Sequence, residues 1–290
     1  MSCLYVVATP IGNLEDLSPR ALRVMKEADL ILAEDTRVTR RLLNAFSIKT
    51  PLESYHKHNE DSKAEQIVNR MTAQPLNVAL VTDAGTPGIS DPGVFLVAAA
   101  HCAGIEVIAI PGPSALVAAL SKSGFGHTEF AFFGFLPRKK GELKEKLRAM
   151  QGATPLAVLY ESPHRIQSLL EAAGEVFPGS RVSLSRELTK LHEQTLNGTV
   201  EEVLALVLMD ENLKRGEFVL VLEVPPNAPL APITGEENSL EARLMDLLAK
   251  GSTLREARAA LLAYGLKKNA VYAAALNLKK LAADLLKGKG

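Results

Sequence analysis

The sequence predicts an α/β fold in which a mainly parallel, doubly wound sheet is followed by a second α/β unit and a small helical C-terminal region. Three observations lead there. Apolar runs of strand length alternate with helical patterns over most of the chain, and the runs are apolar on both faces, as strands covered by helices on each side must be. Gly/Pro-rich turns follow several of these runs directly, where a crossover to a helix begins. The last fifty residues carry Ala and Leu at helical spacing and no strand pattern.

The elements follow in order. A run at 4–8 leads to a helix opened by Ser18-Pro19, since serine suits an N-cap and proline a first turn. A run at 30–33 precedes a helix from about 38, and an extended 52–55 precedes a polar helix from about 61. The run 78–81 precedes a helix at about 92–103, for which Asp91 is the expected cap. The run 106–110 leads into a small-residue helix from 113. Residues 124–130, "GFGHTEF", read as a hinge. Beyond it 130–133, 156–160, 182–184 and 218–224 read as strands, with helices near 141–150, 164–173 and 199–208. Asn197-Gly198-Thr199 matches a glycosylation sequon but reads as a turn before the last of these helices. The tail helices have caps at Ser239 and Ser252/Thr253. The expected organisation is therefore 1–124, 125–226, a Pro/Asn/Gly-rich linker 227–239, and 240–290.

Composition narrows the class. With 47% hydrophobic and 23% charged residues, the chain has the make-up of a soluble globular protein. No apolar run approaches the roughly 20 residues that span a bilayer, and the first residues lack a signal-peptide pattern, so the cytoplasm is expected and no membrane partner. Two cysteines without C-x-x-C spacing indicate neither a disulfide framework nor a zinc site. Overall charge is balanced at 33 basic and 33 acidic residues, but its distribution is not. Residues 138–148, "RKKGELKEKLR", hold six basic and two acidic side chains, and 240–290 carry a net charge of +6. Two solvated helices explain this as well as an RNA-facing surface does.

In open α/β sheets ligands sit beyond the carboxyl ends of the strands. Three Gly/Pro-rich turns fall there: "TPIGN" (9–13), "TDAGTPGISDPG" (82–93) and "PGPSA" (111–115). Together they suit a rigid, backbone-lined pocket with Asp83 at its wall. No phosphate-loop, dinucleotide, zincin or serine-hydrolase pattern occurs. Two further clusters, "AEDTRVTRR" (33–41) and "YESPHR" (160–165), put carboxylate, hydroxyl and guanidinium groups at strand ends. Each serves equally as a helix cap, and Arg186-Glu187 in "SRELTKLHEQ" serves equally as an ion pair.

"LYVVATPIGNLEDLSPRAL", "ILAEDTR", "SYHKHNE", "LVTDAGTPGISDPG", "IPGPSA", "FFGFLPRKK", "YESPHR", "RELTKLHE" and "GEFVLVLE" occur in this order. In these motifs the chain, over about residues 3–224 and more loosely into its tail, resembles the tetrapyrrole methylase superfamily. Within it the chain resembles the branch that methylates the 2′-oxygen of a cytidine ribose in the decoding region of small-subunit ribosomal RNA. The resemblance implies a tetrapyrrole-methylase-like fold of two α/β domains with S-adenosylmethionine in the cleft between them, no metal, an assembled small subunit as substrate, and a homodimer. Porphyrin-type members carry Gly-Asp-Pro where this chain has "TDAGTP", and a glycine-rich loop where it has "TPIGNLEDL"; both departures point away from a tetrapyrrole substrate.

Carried over on this resemblance, Pro10, Asp83, Gly85, Ile89, Ser114 and Ala115 form the cofactor wall of the first domain, with Leu188 and Leu220 on the second. A ribose hydroxyl is a poor nucleophile and gains from a nearby proton acceptor. That role is expected of Asp35 or Glu34, with Arg37 and Arg165 holding phosphate and Glu161 beside them. Tyr55, His56, His58 and Phe135 offer rings for stacking on splayed-out bases, although core packing is the first expectation for Phe135. The tail and the 138–148 helix become phosphate contacts. Two rivals stand beside this reading: methylation of a tetrapyrrole or protein side chain, and an RNA-binding assembly factor without chemistry.

Overall fold

The computed structural model describes residues 2–126, 129–210, 213, 215–226, 240–249, 253–263 and 268–287. Two compact units result, Met1–Pro225 and Pro226–Gly290. The expected linker 227–239 and the caps Ser239 and Ser252 lie outside the described residues, as does part of the 124–130 hinge.

The first unit opens with five parallel strands, β1 (Cys3–Val7), β2 (Leu30–Ala33), β3 (Leu52–Ser54), β4 (Asn77–Leu80) and β5 (Glu106–Ile110), in the order β3-β2-β4-β1-β5. Helices α1 (Pro19–Glu27), α2 (Thr36–Ala45), α3 (Glu60–Ala73), α4 (Val94–Cys102) and α5 (Ala115–Lys122) make the crossovers. Two apolar clusters hold the sheet, one of α3 and α4 with Leu4 and Leu80, the other of α1 and α2 with Val7 and Val81. Ser18 caps α1 as expected, its Oγ accepting from the Ala21 N–H at 3.1 Å.

A second sheet contains β6 (Ala131–Phe135), β7 (Leu156–Glu161), β8 (Arg181–Arg186), β9 (Gln194–Thr199) and β10 (Phe218–Glu223), in the order β6-β7-β10-β8-β9. Only β6 and β7 pair in parallel; the other neighbours are antiparallel. Helices α6 (Lys140–Met150), α7 (Ile166–Val176) and α8 (Val200–Met209) cover one face around Leu147, Leu170 and Val203. Helix α5 lies on the other, with Ala119 against Val158, Val219 and Val221.

Strand β9 departs from expectation. Its sequence, "QTLNGT", is polar and forms an edge strand, so it lacks the apolar alternation that marks a half-buried one. Asn197 and Gly198 are strand residues, not a turn. Thr199 nevertheless starts α8, through a capping box with Glu202.

The second unit comprises α9 (Leu240–Ala249), α10 (Leu254–Ala263) and α11 (Lys268–Lys287), packed around Leu244, Leu261 and Val271. Arg258 stacks on the Tyr272 ring at 4.1 Å, a cation–π contact. Among the described residues no helix is long and apolar enough to cross a membrane.

Candidate functional site

Strands β4 and β1 are central neighbours, so the loops after them emerge side by side. Thr9 and Gly85 lock them together: the Thr9 N–H donates to the Gly85 carbonyl at 2.8 Å and the Gly85 N–H donates back at 3.0 Å. The buried Thr9 hydroxyl adds a bond to the Thr82 carbonyl at 3.0 Å. Gly85 holds φ +84°, which explains why glycine stands there.

These loops and the second sheet enclose a cavity of about 400 Å³, within the range of small-ligand sites. From the first sheet come Ile11, Glu34, Asp83, Gly85, Ile89, Asp91, Ser114 and Ala115; from the second, Phe135, Tyr160, Glu161 and the stretch Gly216 to Val219. Ser114 occupies the N-cap position of α5 without a capping bond. The Tyr160 hydroxyl accepts from the Leu116 N–H at 3.2 Å, tying β7 to that helix start.

The described lining holds five carboxylates and no Lys, Arg or His. Two have cationic partners outside the lining: Glu161 pairs with Arg165 at 3.2 Å, and Glu217 with Lys190 at 2.9 Å, a lysine it shares with Glu187 at 2.8 Å. Glu34, Asp83 and Asp91 make no ion pair among the described residues. Thr82, itself buried, donates to Glu34 Oε2 at 2.9 Å and lies within hydrogen-bonding reach of Asp91. One hydroxyl proton cannot serve both carboxylates. Burial, with Glu34 and Asp83 nearby, pushes the Asp91 carboxyl up to about 6. Burial also raises Asp83, against the pull of the Asp35 N–H, which donates to its Oδ1 at 3.0 Å.

Five of the eight expected cofactor residues, Asp83, Gly85, Ile89, Ser114 and Ala115, line the cavity. Pro10 does not line it, while its neighbour Ile11 does. Leu188 is buried beneath it in the apolar cluster under α5. Leu220 points to the opposite core, because alternation along β10 turns Val219 to the cavity and Leu220 away.

Of the expected reaction residues, Glu34 and Glu161 reach the cavity. Asp35 caps α2, accepting from the Arg37 N–H at 2.8 Å, and pairs with the Arg37 guanidinium at 2.6 Å. That partner holds the Asp35 carboxyl down at about 2, so it is a weak base. Arg165 is committed to Glu161 and to the Leu136 and Pro137 carbonyls, both at 3.0 Å.

Asp91 reverses the expectation of a helix cap. Gly93 is the N-cap of α4, without a side-chain bond, and Asp91 lies two residues earlier at the cavity wall. The signal was present in Pro92-Gly93, which lets the chain turn between the aspartate and the helix. Phe135 likewise is not core: it is 59% exposed. Tyr55, by contrast, is fully buried and offers no stacking face. His56 and His58 meet edge to face, with ring centroids 6.0 Å apart.

The basic stretch is partly spent internally. Lys139 pairs with Glu142, Lys140 and Lys144 pair with Glu175, and Lys146 stands over the Phe133 ring. Arg138 makes no ion pair among the described residues.

Comparison with known proteins agrees with this architecture. Residues 3–204 match the family model of tetrapyrrole (corrin/porphyrin) methylases. The ribosomal RNA small subunit methyltransferase I of Xylella fastidiosa is 44% identical over 253 residues, covering 87% of this chain and 92% of that protein. Its counterpart in Pseudomonas aeruginosa is 45% identical over 278 residues, covering 94% and 96%. Among solved structures, a uroporphyrin-III C-methyl transferase from Thermus thermophilus, complexed with S-adenyl homocysteine, aligns with a TM-score of 0.52 at 19% identity, over 76% of this chain and 97% of that one. At that identity the likeness concerns the fold.

Proposed function

The chain belongs to the tetrapyrrole methylase family, and from that premise we propose that it transfers the methyl group of S-adenosylmethionine to the 2′-oxygen of a cytidine ribose in small-subunit ribosomal RNA. The observation that carries the cofactor half is the lining itself. A cavity with three uncompensated carboxylates and no basic side chain suits a ligand that carries positive charge and opposes one bound through phosphates. S-adenosylmethionine is such a ligand, net positive because its sulfonium and ammonium outweigh its one carboxylate, and Ile11, Ile89, Ala115 and Val219 supply apolar surface for its remainder. The RNA half rests on the relatives, which are named for that substrate over nearly their whole length.

When bound, the cofactor supplies an activated methyl group and its own leaving group. The protein then has to orient, dehydrate and remove one proton. Orientation comes from the locked Thr9–Gly85 loops, which hold the wall fixed before any ligand arrives. Proton removal falls to Asp91. Its carboxyl, lifted to about 6, is largely ionised at neutral pH yet far more basic than Asp35. Glu34 and Asp83 raise the basicity of Asp91, which favours passage of the ribose hydroxyl proton to it as the oxygen gains the methyl group, and their charge favours the positive ligand beside it. Glu161, clamped by Arg165, shapes the far side.

The reading extends to the assembled small subunit as substrate and to a homodimer. Exposed Val94 and Phe95, adjacent on α4, support a self-association face. The test offers S-adenosylmethionine with a labelled methyl group to small subunits, to their naked RNA and to a tetrapyrrole. Label confined to ribosomal RNA supports the reading; label on the macrocycle overturns it.

A further inference from the structure

A second cavity, of about 460 Å³, adjoins the first and shares Phe135, Glu161 and Ser162 with it; Leu136, Pro137, Arg138 and Arg165 complete its wall. It contains a large aromatic side chain that the fold has turned outward. In a regular strand Phe133 and Phe135 would share one face. Phe133 does pack against the core under α6 and α7. Strand β6, however, shifts register between Phe132 and Gly134, and Gly134 takes φ +60°. The extra residue places Phe132 and Phe135 on the same neighbour, Tyr160, at 4.9 and 5.9 Å with interplanar angles of 67° and 66°. Phe135 is thus fixed by an edge contact while most of its ring is open. Bulges of this kind re-aim side chains beside functional sites. The positive φ favours glycine here, and a Cβ on Gly134 would in addition stand 3.1 Å from Ser90 Oγ in the first cavity wall, so that the serine would have to give way.

We infer that this second cavity is the nucleobase subsite of the same centre: the base of the target nucleotide stacks on Phe135, and Arg138 meets a neighbouring phosphate. The inference rests on the RNA ribose-methylating reading and adds the means by which the nucleotide is held. An exposed ring stacks on any base face, and single-stranded segments are bound in this way. Arg138 is the cation of this wall that makes no ion pair among the described residues, whereas Arg165 is committed to Glu161 and two carbonyls. A single available guanidinium suits the spaced phosphates of an RNA strand better than the several carboxylates of a tetrapyrrole. Since Glu161 and Ser162 border both cavities, a base on Phe135 leaves its ribose directed at the shared wall.

The experiment compares wild type, Phe135→Ala, Phe135→Trp and Arg138→Ala on small-subunit particles, with S-adenosylhomocysteine affinity measured alongside as the check on folding and on the first cavity. Phe135→Ala is expected to lower kcat/KM on the particles roughly ten- to hundredfold, well beyond any change in cofactor-product affinity, since Phe135 also borders the first cavity, and Phe135→Trp to restore most of it. Arg138→Ala should weaken subunit binding and flatten its salt dependence by about one phosphate contact. Wild-type kcat/KM in Phe135→Ala, or a Trp variant as impaired as the Ala variant, overturns the subsite. Failure of the wild-type protein itself to methylate the particles overturns the underlying reading and the subsite with it.

Discussion

Replacing Asp91 by asparagine separates two consequences of one buried carboxyl. Asp91 is lifted from 3.8 to about 6 by burial and by its acidic neighbours Glu34 and Asp83. The folded protein therefore binds this proton more tightly than the unfolded chain does, so stability falls as pH rises from about 4 to about 6 and the full cost is present above that. A displacement of this size corresponds to about 3 kcal/mol for a group shielded from solvent. Water reaches this half-buried carboxyl, which reduces the cost to about 1–2 kcal/mol. Asparagine keeps the shape and cannot ionise. The cofactor-free Asp91→Asn protein should therefore be more stable than wild type by about 1–2 kcal/mol at pH 7.5 and nearly equal to it at pH 4. Its methyl-transfer rate should drop by about a hundredfold or more, the usual contribution of a general base. Urea unfolding at pH 4, 6 and 7.5, paired with single-turnover transfer, reads both effects. A stability difference that does not change with pH, or turnover close to wild type, refutes the assignment.

Other perturbations read other parts of the structure. Arg165→Ala strips the ion-pair partner from Glu161, whose side chain is 1% exposed, and should cost about 3 kcal/mol in thermal or urea unfolding; Glu161→Gln in the same background should recover part of it. Gly134→Val forces a β-branched residue to φ +60° and should destabilise by about 1–2 kcal/mol, with RNA methylation falling more than S-adenosylhomocysteine binding. Asp35→Ala removes a helix cap and should cost about 1 kcal/mol while leaving transfer within a few fold of wild type; loss of transfer would return Asp35 to the reaction. Removal of residues 235–290, with their excess of basic side chains, should weaken binding to the small subunit and spare cofactor binding, as measured by sedimentation and calorimetry.

The first sheet was legible because its inner strands β2 and β4 are buried on both faces and its crossovers carry punctuation. Leu30–Ala33 and Glu106–Ile110 appear at the expected positions, and Ser18-Pro19 opens α1. Strand β9 was not legible, since a polar edge strand shows neither alternation nor a continuous apolar run. The cavity wall was readable where the backbone itself defines it, at Asp83, Gly85 and Ser114. Side-chain direction was harder. Leu220 and Val219 are equally apolar, and only the register of β10 decides which faces the cavity. Phe135 depends on a bulge that shifts its face by one residue, and "FFGF" signals that bulge only through its glycine. Asp35, expected at the reaction, caps α2, and Asp91, expected as a cap, lies at the cavity wall. Both stand just before a helix, and it is Arg37 that captures the first while Gly93 replaces the second as a cap.

The central claim, methyl transfer to a ribose of small-subunit RNA, is tested most directly by mapping 2′-O-methylation across that RNA in cells with and without the gene for this chain. The account predicts one ribose methyl group, on a cytidine of the decoding region, that disappears with the gene and returns with the intact chain but not with Asp91→Asn. An unchanged methylation map in the absence of the gene would contradict it.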